Sequence, residues 1–89
     1  MPTGDVSTTT VEVRVELKPG VLDAEADSIE KSLGLLGIDH VRRVRTARIY
    51  ALEFSDVRPS VARRLAEEAV DRLLANPVIH KVTIRAPTE

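Results

Sequence analysis

The stretch VEVRVEL, residues 11–17, alternates apolar and polar side chains with a period of two. Successive side chains of a strand point to opposite faces of a sheet, so the pattern predicts a strand with one buried and one solvated face. Lys18-Pro19-Gly20 follows directly, and proline with glycine favours a turn. The folded part of the chain therefore begins with a strand that needs cover on one face.

The segment VLDAEADSIEKSLGLLG, residues 21–37, carries apolar side chains at helical spacing. Acidic residues stand near its N-terminal end, where the helix dipole favours carboxylates, and Gly37 suits a C-terminal stop. A glycine inside a helix destabilises it by about 1 kcal/mol relative to alanine. The presence of Gly34 therefore predicts close packing at that position. The predicted apolar stripe comprises Leu22, Ala26, Ile29, Leu33 and Leu36.

Residues 41–55, VRRVRTARIYALEFS, are strand-like, but their pattern changes midway. Val41 and Val44 are apolar among arginines, whereas IYALEF, residues 49–54, is apolar on both faces apart from Glu53. The change predicts two strands separated by a tight turn or bulge near Thr46-Ala47, although neither residue favours a turn.

A second amphipathic helix is predicted over residues 61–74. Pro77 lacks a backbone N–H and disfavours helix in the residue before it, so Asn76 is expected to end the helix. Val78 to Arg85 then reads as the last strand, after a very short joint. The side chains predicted to point inward from the helix are Val61, Ala62, Leu65, Ala66, Ala69, Val70 and Leu73.

The element order is β-α-β-β-α-β, the split βαβ pattern of ferredoxin-like folds. It predicts an α+β sandwich in which two helices cover one face of a four-stranded antiparallel sheet. The other face stays open, and the apolar run 49–54 on it needs cover. A core this small rarely stabilises a chain by more than about 3–5 kcal/mol, so we expect that strand to be buried against a second copy, in a homodimer or larger assembly.

A chain of 89 residues forms one small domain, expected over residues 10–87. Residues 1–9 are rich in Thr, Ser, Gly and Pro, which predicts a disordered tail, and they have neither the basic start nor the apolar run of a signal peptide. Without cysteine the chain forms no disulfides, which suits the cytoplasm. Its net charge of −1 gives no general attraction to nucleic acid or membranes, and neither partner is expected.

The charges are unevenly distributed along the sequence. Residues 1–40 carry a net charge of −5, and residues 41–89 carry +4. Arg42, Arg43, Arg45 and Arg48 form most of the basic part. Such a cluster suits an anion or an acidic partner surface, and it equally suits a solvated strand.

No pattern for catalysis or metal binding is evident. The two histidines, His40 and His80, lie in different segments, and without cysteine they supply too few ligands for a zinc site. We therefore expect one to lie in a loop and the other on the surface of a strand. The hydroxyl groups have no adjacent base, and there is no glycine-rich phosphate loop. Tyr50 and Phe54 would share a strand face, but the aromatic platform of an RNA-binding sheet is missing.

Four stretches together resemble the PurS family, the small subunits of phosphoribosylformylglycinamidine synthase. They are ELKPGVLD (16–23), LGLLG (33–37), VRRVR (41–45) and LLANPVI (73–79). The first and last are the most distinctive, and their order and separation also match. The resemblance covers residues 11–85.

The resemblance implies a subunit of an ATP- and glutamine-dependent ligase of purine biosynthesis. That complex converts formylglycinamide ribonucleotide, ATP and glutamine to formylglycinamidine ribonucleotide, ADP, phosphate and glutamate. A large synthetase subunit and a glutaminase subunit would hold the active sites, with ATP and Mg on the synthetase. The small subunit would be a homodimeric bridge that docks the glutaminase and supports ammonia transfer, with no catalytic residue, metal or cofactor of its own.

The residues carried over by the resemblance fall into three groups. Residues 18–23 match the first motif, Arg45 matches a strand arginine, and residues 76–78 match the last motif. The chain departs from the family's pattern at two places: Ala47 and Arg48 stand where the family usually has Gly-Lys, and residues 24–26 replace its Pro-Gln-Gly. The partner-binding candidates are Lys18, Pro19, Gly20, Asp23, Arg43, Arg45, Arg48, Asn76 and Pro77.

Two functions of other classes remain open from the sequence. One is a small regulatory domain of ferredoxin-like fold that binds a metabolite at a dimer interface. The other is a single-stranded RNA binder, which would show a salt-dependent affinity for RNA.

Overall fold

The computed structural model describes residues 8–87, and these form an α+β fold with one antiparallel sheet and two helices. The described part of the chain contains three strands, not the four predicted. The elements in chain order are β1 Thr8–Leu17, α1 Ala24–Leu35, β2 Ala47–Ser55, α2 Pro59–Ala69, a π turn Val70–Leu74 and β3 His80–Arg85.

β1 is the central strand of the sheet, whose order is β2-β1-β3. Both neighbours run antiparallel to it, with Val13 opposite Tyr50 on one side and Ile84 on the other. Val11 and Val13 are fully buried and Val15 nearly so, whereas Glu12 and Arg14 are exposed. The alternation in the sequence therefore correctly predicted the covered and open faces of β1.

α2 covers the valine face of β1, where Ala62 and Ala66 are fully buried. Their short side chains allow the helix backbone to approach the sheet closely. Pro59 begins this helix at a position where its missing N–H has no cost. Tyr50 and Phe54 are half-buried against the same core, so they do not form an open platform for stacking bases.

The predicted strand before Thr46 is not formed, and residues 38–46, which we call the arm, run outside the sheet. A strand there would need its N–H groups paired with a neighbouring strand. Instead the N–H groups of Val44 and Thr46 donate to carboxylates of Glu30 and Asp23, at 3.0 and 3.2 Å. The prediction of a fourth strand in the sheet is therefore wrong for the described residues.

The expectation that two helices cover one face of the sheet is also wrong for the described residues, among which α2 alone packs extensively on it. Of the stripe predicted for α1, Ala26 alone is buried, whereas Leu22 and Leu36 are 76% and 73% exposed. A Cβ atom added to Gly34 would meet no other heavy atom within 4 Å, so the predicted close packing there is absent within the described chain. α1 thus presents an apolar face to its surroundings.

β2 divides its apolar residues between the two faces of the sheet. Tyr50, Leu52 and Phe54 lie on the face that α2 covers, whereas Ile49 lies on the open face and is 54% exposed. The run 49–54 is therefore already half-covered within one chain. Most of the other exposed large apolar side chains lie on α1 or just beyond its ends, in the arm, and around the end of α2, where Leu73 and Val78 are exposed.

The end of α2 widens into the π turn, with the N–H of Ala75 donating to the carbonyl oxygen of Val70, five residues earlier. The wider turn carries Leu74 onto the core and leaves Leu73 82% exposed, so the predicted inward position of Leu73 is wrong. β3 begins at His80, two residues after the predicted start.

Thr8 and Thr9 belong to β1, although the sequence placed them in a disordered tail. Thr9 is buried, and its hydroxyl donates to the carbonyl oxygen of Val57 at 3.3 Å. The remainder of the predicted tail, residues 1–7, lies outside the described residues. No helix in the described part of the chain is long and apolar enough to cross a membrane.

Candidate partner-binding site

The turn after β1 is built by Lys18, Pro19 and Gly20. The N–H of Val21 donates to the carbonyl oxygen of Lys18 at 3.1 Å, and Gly20 has φ = +89°. Proline followed by a residue with positive φ is the pattern of a type II turn, and glycine adopts that conformation without steric cost. The turn therefore requires the Pro-Gly pair found in the sequence.

A backbone hydrogen bond joins this turn to the joint at Asn76-Pro77. The N–H of Lys18 donates to the carbonyl oxygen of Ile79 at 2.8 Å. Pro19 and Asn76 belong to the two motifs that carry the family resemblance, and they are 57 residues apart in the sequence. In the fold, the two motifs lie at the same end of the sheet.

Asn76 organises the joint through both its side chain and its backbone. Its Oδ1 accepts from the N–H of Val78 at 3.0 Å, and its carbonyl oxygen accepts from Ile79 and His80 at 3.1 and 2.8 Å. Its own N–H donates to Nδ1 of His80 at 2.8 Å. These bonds explain how α2 can turn into β3 within a few residues.

Asp23 is the N-cap of α1, and it also holds the end of the arm. Its Oδ1 accepts from the N–H of Ala26 at 3.0 Å, while its Oδ2 accepts from the N–H and the hydroxyl of Thr46, at 3.2 and 2.8 Å. The bond from Ala26 and those from Thr46 hold the pKa of Asp23 below its ordinary value of 3.8, against a smaller opposing effect of desolvation.

Glu30 continues this arrangement two helical turns further along α1. Its Oε2 accepts from the N–H of Val44 at 3.0 Å. Residues seven apart on a helix lie on one face, and N–H groups two apart on an extended chain point the same way. Asp23 and Glu30 therefore form a matched pair of acceptors for the arm.

The turn, the start of α1 and the arm enclose a groove of about 340 Å³. Five of the nine predicted partner-binding residues line it, namely Lys18, Gly20, Asp23, Arg43 and Arg45. The structure thus brings together residues from three separate stretches of the sequence.

The other predicted site residues lie outside this groove. Arg48 lies beside Ala47 and His80 in a second groove of about 240 Å³, and Pro77 lies beside His80 and Val70 in a third of about 420 Å³. Pro19 and Asn76 line none of the three. The nine candidates are therefore spread over more than one groove of a single chain, although Leu17 and Thr46 line both the first and the second groove.

Thr46 and Glu30 position the arm; the sequence predicted a turn or bulge at Thr46 and a favourable helix-dipole placement for Glu30, but no link between the two segments. The seven-residue spacing from Asp23 to Glu30 was visible in the sequence and places both carboxylates on one helical face. The sequence could not reveal that the face is used to bind backbone N–H groups of the same chain.

The histidines occupy separate positions. His40 lies in the arm with φ = +69°, and His80 opens β3, where it accepts from Asn76. Among residues 8–87 there is no group of three or more His, Cys, Asp or Glu side chains placed to hold a metal ion.

Comparison with known proteins identifies the family. The profile of PurS, described as phosphoribosylformylglycinamidine (FGAM) synthase, matches residues 10–88. The chain belongs to the PurS family. It is accordingly a subunit of FGAM synthase, a ligase of purine biosynthesis.

Individual members of the PurS family agree with this assignment. The chain is 38% identical over 73 residues to the PurS subunit of this synthase from Archaeoglobus fulgidus, covering 82% of this chain and 91% of that protein. Its fold is similar to the crystal structure of Methanocaldococcus jannaschii PurS, with a TM-score of 0.79, 31% identity, and coverage of 91% and 98%. A chain in the structure of PurLQS from Thermotoga maritima has the same fold, with a TM-score of 0.81 at 22% identity, covering 91% of this chain and 99% of that one.

Proposed function

We propose that this subunit is a non-catalytic bridge that docks the glutaminase onto the ATP-dependent synthetase and supports ammonia transfer between them. The observation that carries the proposal is membership of the PurS family over residues 10–88, a range that leaves out only the first two residues of β1 among the elements of the fold. The related T. maritima protein was solved as PurLQS, a complex named for three components.

The layout of the chain supports a role in binding other proteins. The described residues that line the main groove come from a turn, a helix start and an extended arm, and surfaces of this kind commonly carry binding function. The exposed apolar side chains Ile29 and Leu35 of α1, with Leu22 and Leu36 just beyond its ends, offer a further contact area.

The proposal includes self-association of the subunit, most simply as a homodimer. The Cα radius of gyration is 17.5 Å, against about 12 Å for a compact domain of this length. Only six apolar side chains are buried within the described chain, and none is larger than valine. A second copy packed on the apolar face of α1 would compensate for this small core.

The chemistry is assigned to the other subunits. In this proposal ATP and Mg bind the synthetase, glutamine is hydrolysed on the glutaminase, and the present chain binds no cofactor. We propose the cytoplasm as the location, because the substrates of the reaction are soluble molecules found there.

The test is synthase turnover by the synthetase and glutaminase with and without this chain. We expect glutamine-dependent turnover only when the chain is present, and ammonia-dependent turnover to depend on it little. Equal glutamine-dependent rates in both mixtures would overturn the bridging role. A screen of the isolated chain against nucleotides and amino acids would then test the alternative of a metabolite-binding regulatory domain.

A further inference from the structure

β2 is an edge strand of the sheet, and it lacks most of the features that keep such a strand unpaired. Its neighbour among the described strands is β1 alone, so alternate N–H and C=O groups along its other edge are unpaired within residues 8–87. The strand is nine residues long, has no proline, and carries only Arg48 and Glu53 as charged side chains. A long and largely apolar edge of this kind readily pairs with another strand.

The arm is an extended segment that also has one edge free. The N–H groups of Val44 and Thr46 donate to carboxylates of α1, at 3.0 and 3.2 Å. Successive N–H groups of an extended chain point to opposite sides, so those of Arg43 and Arg45 point away from these carboxylates. They have no hydrogen-bond partner among the described residues. This second edge of the arm is therefore available for pairing.

The arm does not fold back onto β2 of its own chain. Residues 41–46 contain no turn or bend and continue directly into β2 at Ala47. A hairpin would need a tight turn between the two segments, and Thr46-Ala47 contains no residue that favours the positive φ of such a turn. The arm can therefore pair with β2 only if that strand belongs to another chain.

The chain exposes enough surface for a stable interface. Its accessible surface is 6744 Å², whereas a compact protein of this mass has about 5,200 Å². The difference, about 1,500 Å², exceeds the 800 Å² or so that each partner buries in an interface of standard size.

The two free edges select a second copy as the partner. Every copy carries both a free arm edge and a free β2 edge, and a surface that complements itself in this way is what a two-fold dimer requires. Addition of a strand to an exposed sheet edge is also a common form of protein association.

We infer that two copies of this chain exchange strands, with the arm of each copy pairing antiparallel with the free edge of β2 in the other. The inference rests on the proposed self-association but not on the bridging role. Because Asp23 and Glu30 hold the arm against α1, the exchange would bring the exposed apolar side chains of α1 next to the half-buried Tyr50 and Leu52 of the second copy. Each sheet would then gain the fourth strand and the second helix that the sequence predicts.

The direct test is nuclear Overhauser contacts between chains in a mixed dimer. A chain labelled with ¹⁵N and a chain labelled with ¹³C are refolded together from urea. We expect interchain contacts between the amides of Arg43 and Arg45 and protons of β2. A dimer whose interchain contacts lie elsewhere, on β3 or on α1 alone, would overturn the inference. A monomeric chain would overturn it together with the proposed self-association, whereas turnover of the reconstituted synthase tests the bridging role separately.

A matched pair of proline variants tests the same pairing by affinity. Arg43→Pro removes an N–H from the free edge of the arm, whereas Arg42→Pro removes one that points to the opposite side, and each variant loses one arginine charge. We expect Arg43→Pro to raise the dimer dissociation constant, measured by sedimentation equilibrium, about tenfold or more, because the symmetry removes the bond twice. Arg42→Pro should stay close to the parent. Equal weakening in both variants would overturn the inference, and the contacts measured in the parent decide the question if either variant fails to fold.

Discussion

One oxygen of Asp23 accepts both the backbone N–H and the side-chain hydroxyl of Thr46, 23 residues later, at 3.2 and 2.8 Å. The other oxygen caps α1 through Ala26 at 3.0 Å. A single carboxylate therefore fixes the beginning of a helix and the end of the arm relative to each other. The position of Arg45 depends on this link, because it directly precedes Thr46.

Asp23→Asn should release the arm without unfolding α1. An asparagine oxygen can still accept from Ala26, but its amide nitrogen cannot accept from Thr46. We expect faster hydrogen exchange at the amides of Val44 and Thr46, with little change at residues 27–35. Asp23→Ala serves as the comparison, because it removes the cap and should also weaken the first turn of α1. Unchanged exchange at Thr46 in Asp23→Asn would contradict this account.

The fold should lose stability in acid partly through Asp23. Its pKa in the folded chain is below 3.8, so its contribution is complete above that value and is lost as the pH falls through the folded pKa. The urea stability of the parent should therefore fall more steeply below about pH 4 than that of Asp23→Asn. The groove has six other ionisable groups, which both proteins share: Glu16, Lys18, Asp27, Glu30, Arg43 and Arg45. Parallel pH profiles would show that Asp23 is not linked to folding.

Alanine substitutions at two glycines should have opposite effects. Gly20 has φ = +89°, so alanine should destabilise the turn by about 1–2 kcal/mol. Gly34 lies in α1 with no atom within 4 Å of an added Cβ, so alanine should stabilise the helix by up to about 1 kcal/mol. Urea unfolding of both variants measures the difference. If Gly34→Ala is destabilising, and more so at higher protein concentration, then a second copy packs tightly against that position.

The joint between α2 and β3 should depend on the side-chain oxygen of Asn76. Asn76→Ala leaves the N–H of Val78 without its acceptor and should cost about 1 kcal/mol, whereas Asn76→Asp retains an oxygen at that position. Thermal unfolding of the two variants provides the comparison. Equal losses in both would point to the amide nitrogen rather than Oδ1 as the important group.

The sequence contained most of the information for the local structure. The period of two predicted the faces of β1, Asp23 was placed at the N-terminal end of α1, and Gly37 adopts φ = +77° just beyond that helix, as a C-terminal stop requires. These features depend on residues that are close in the sequence, so a short stretch of sequence is enough to predict them.

The remaining features depend on distant partners or on subtle helix geometry. The arm looks like a strand because Val41 and Val44 are β-branched, but its N–H groups bond to carboxylates 14 and 23 residues earlier in the chain. Because of the π turn, Leu74 packs on the core and Leu73 is exposed, although the apolar stripe placed Leu73 inward. The stripe itself gives no sign of the π turn. For the candidate site, the sequence supplied Lys18, Arg43 and Arg45 but not the fact that they meet in one groove.

The most direct test of the bridging role is assembly of the complex measured by sedimentation velocity. The glutaminase and the synthetase are mixed alone, and then with this chain, under conditions where each protein is also run singly. The account predicts that the glutaminase sediments with the synthetase only when this chain is present. Co-sedimentation of the two large proteins without it, unchanged by its addition, would contradict the account.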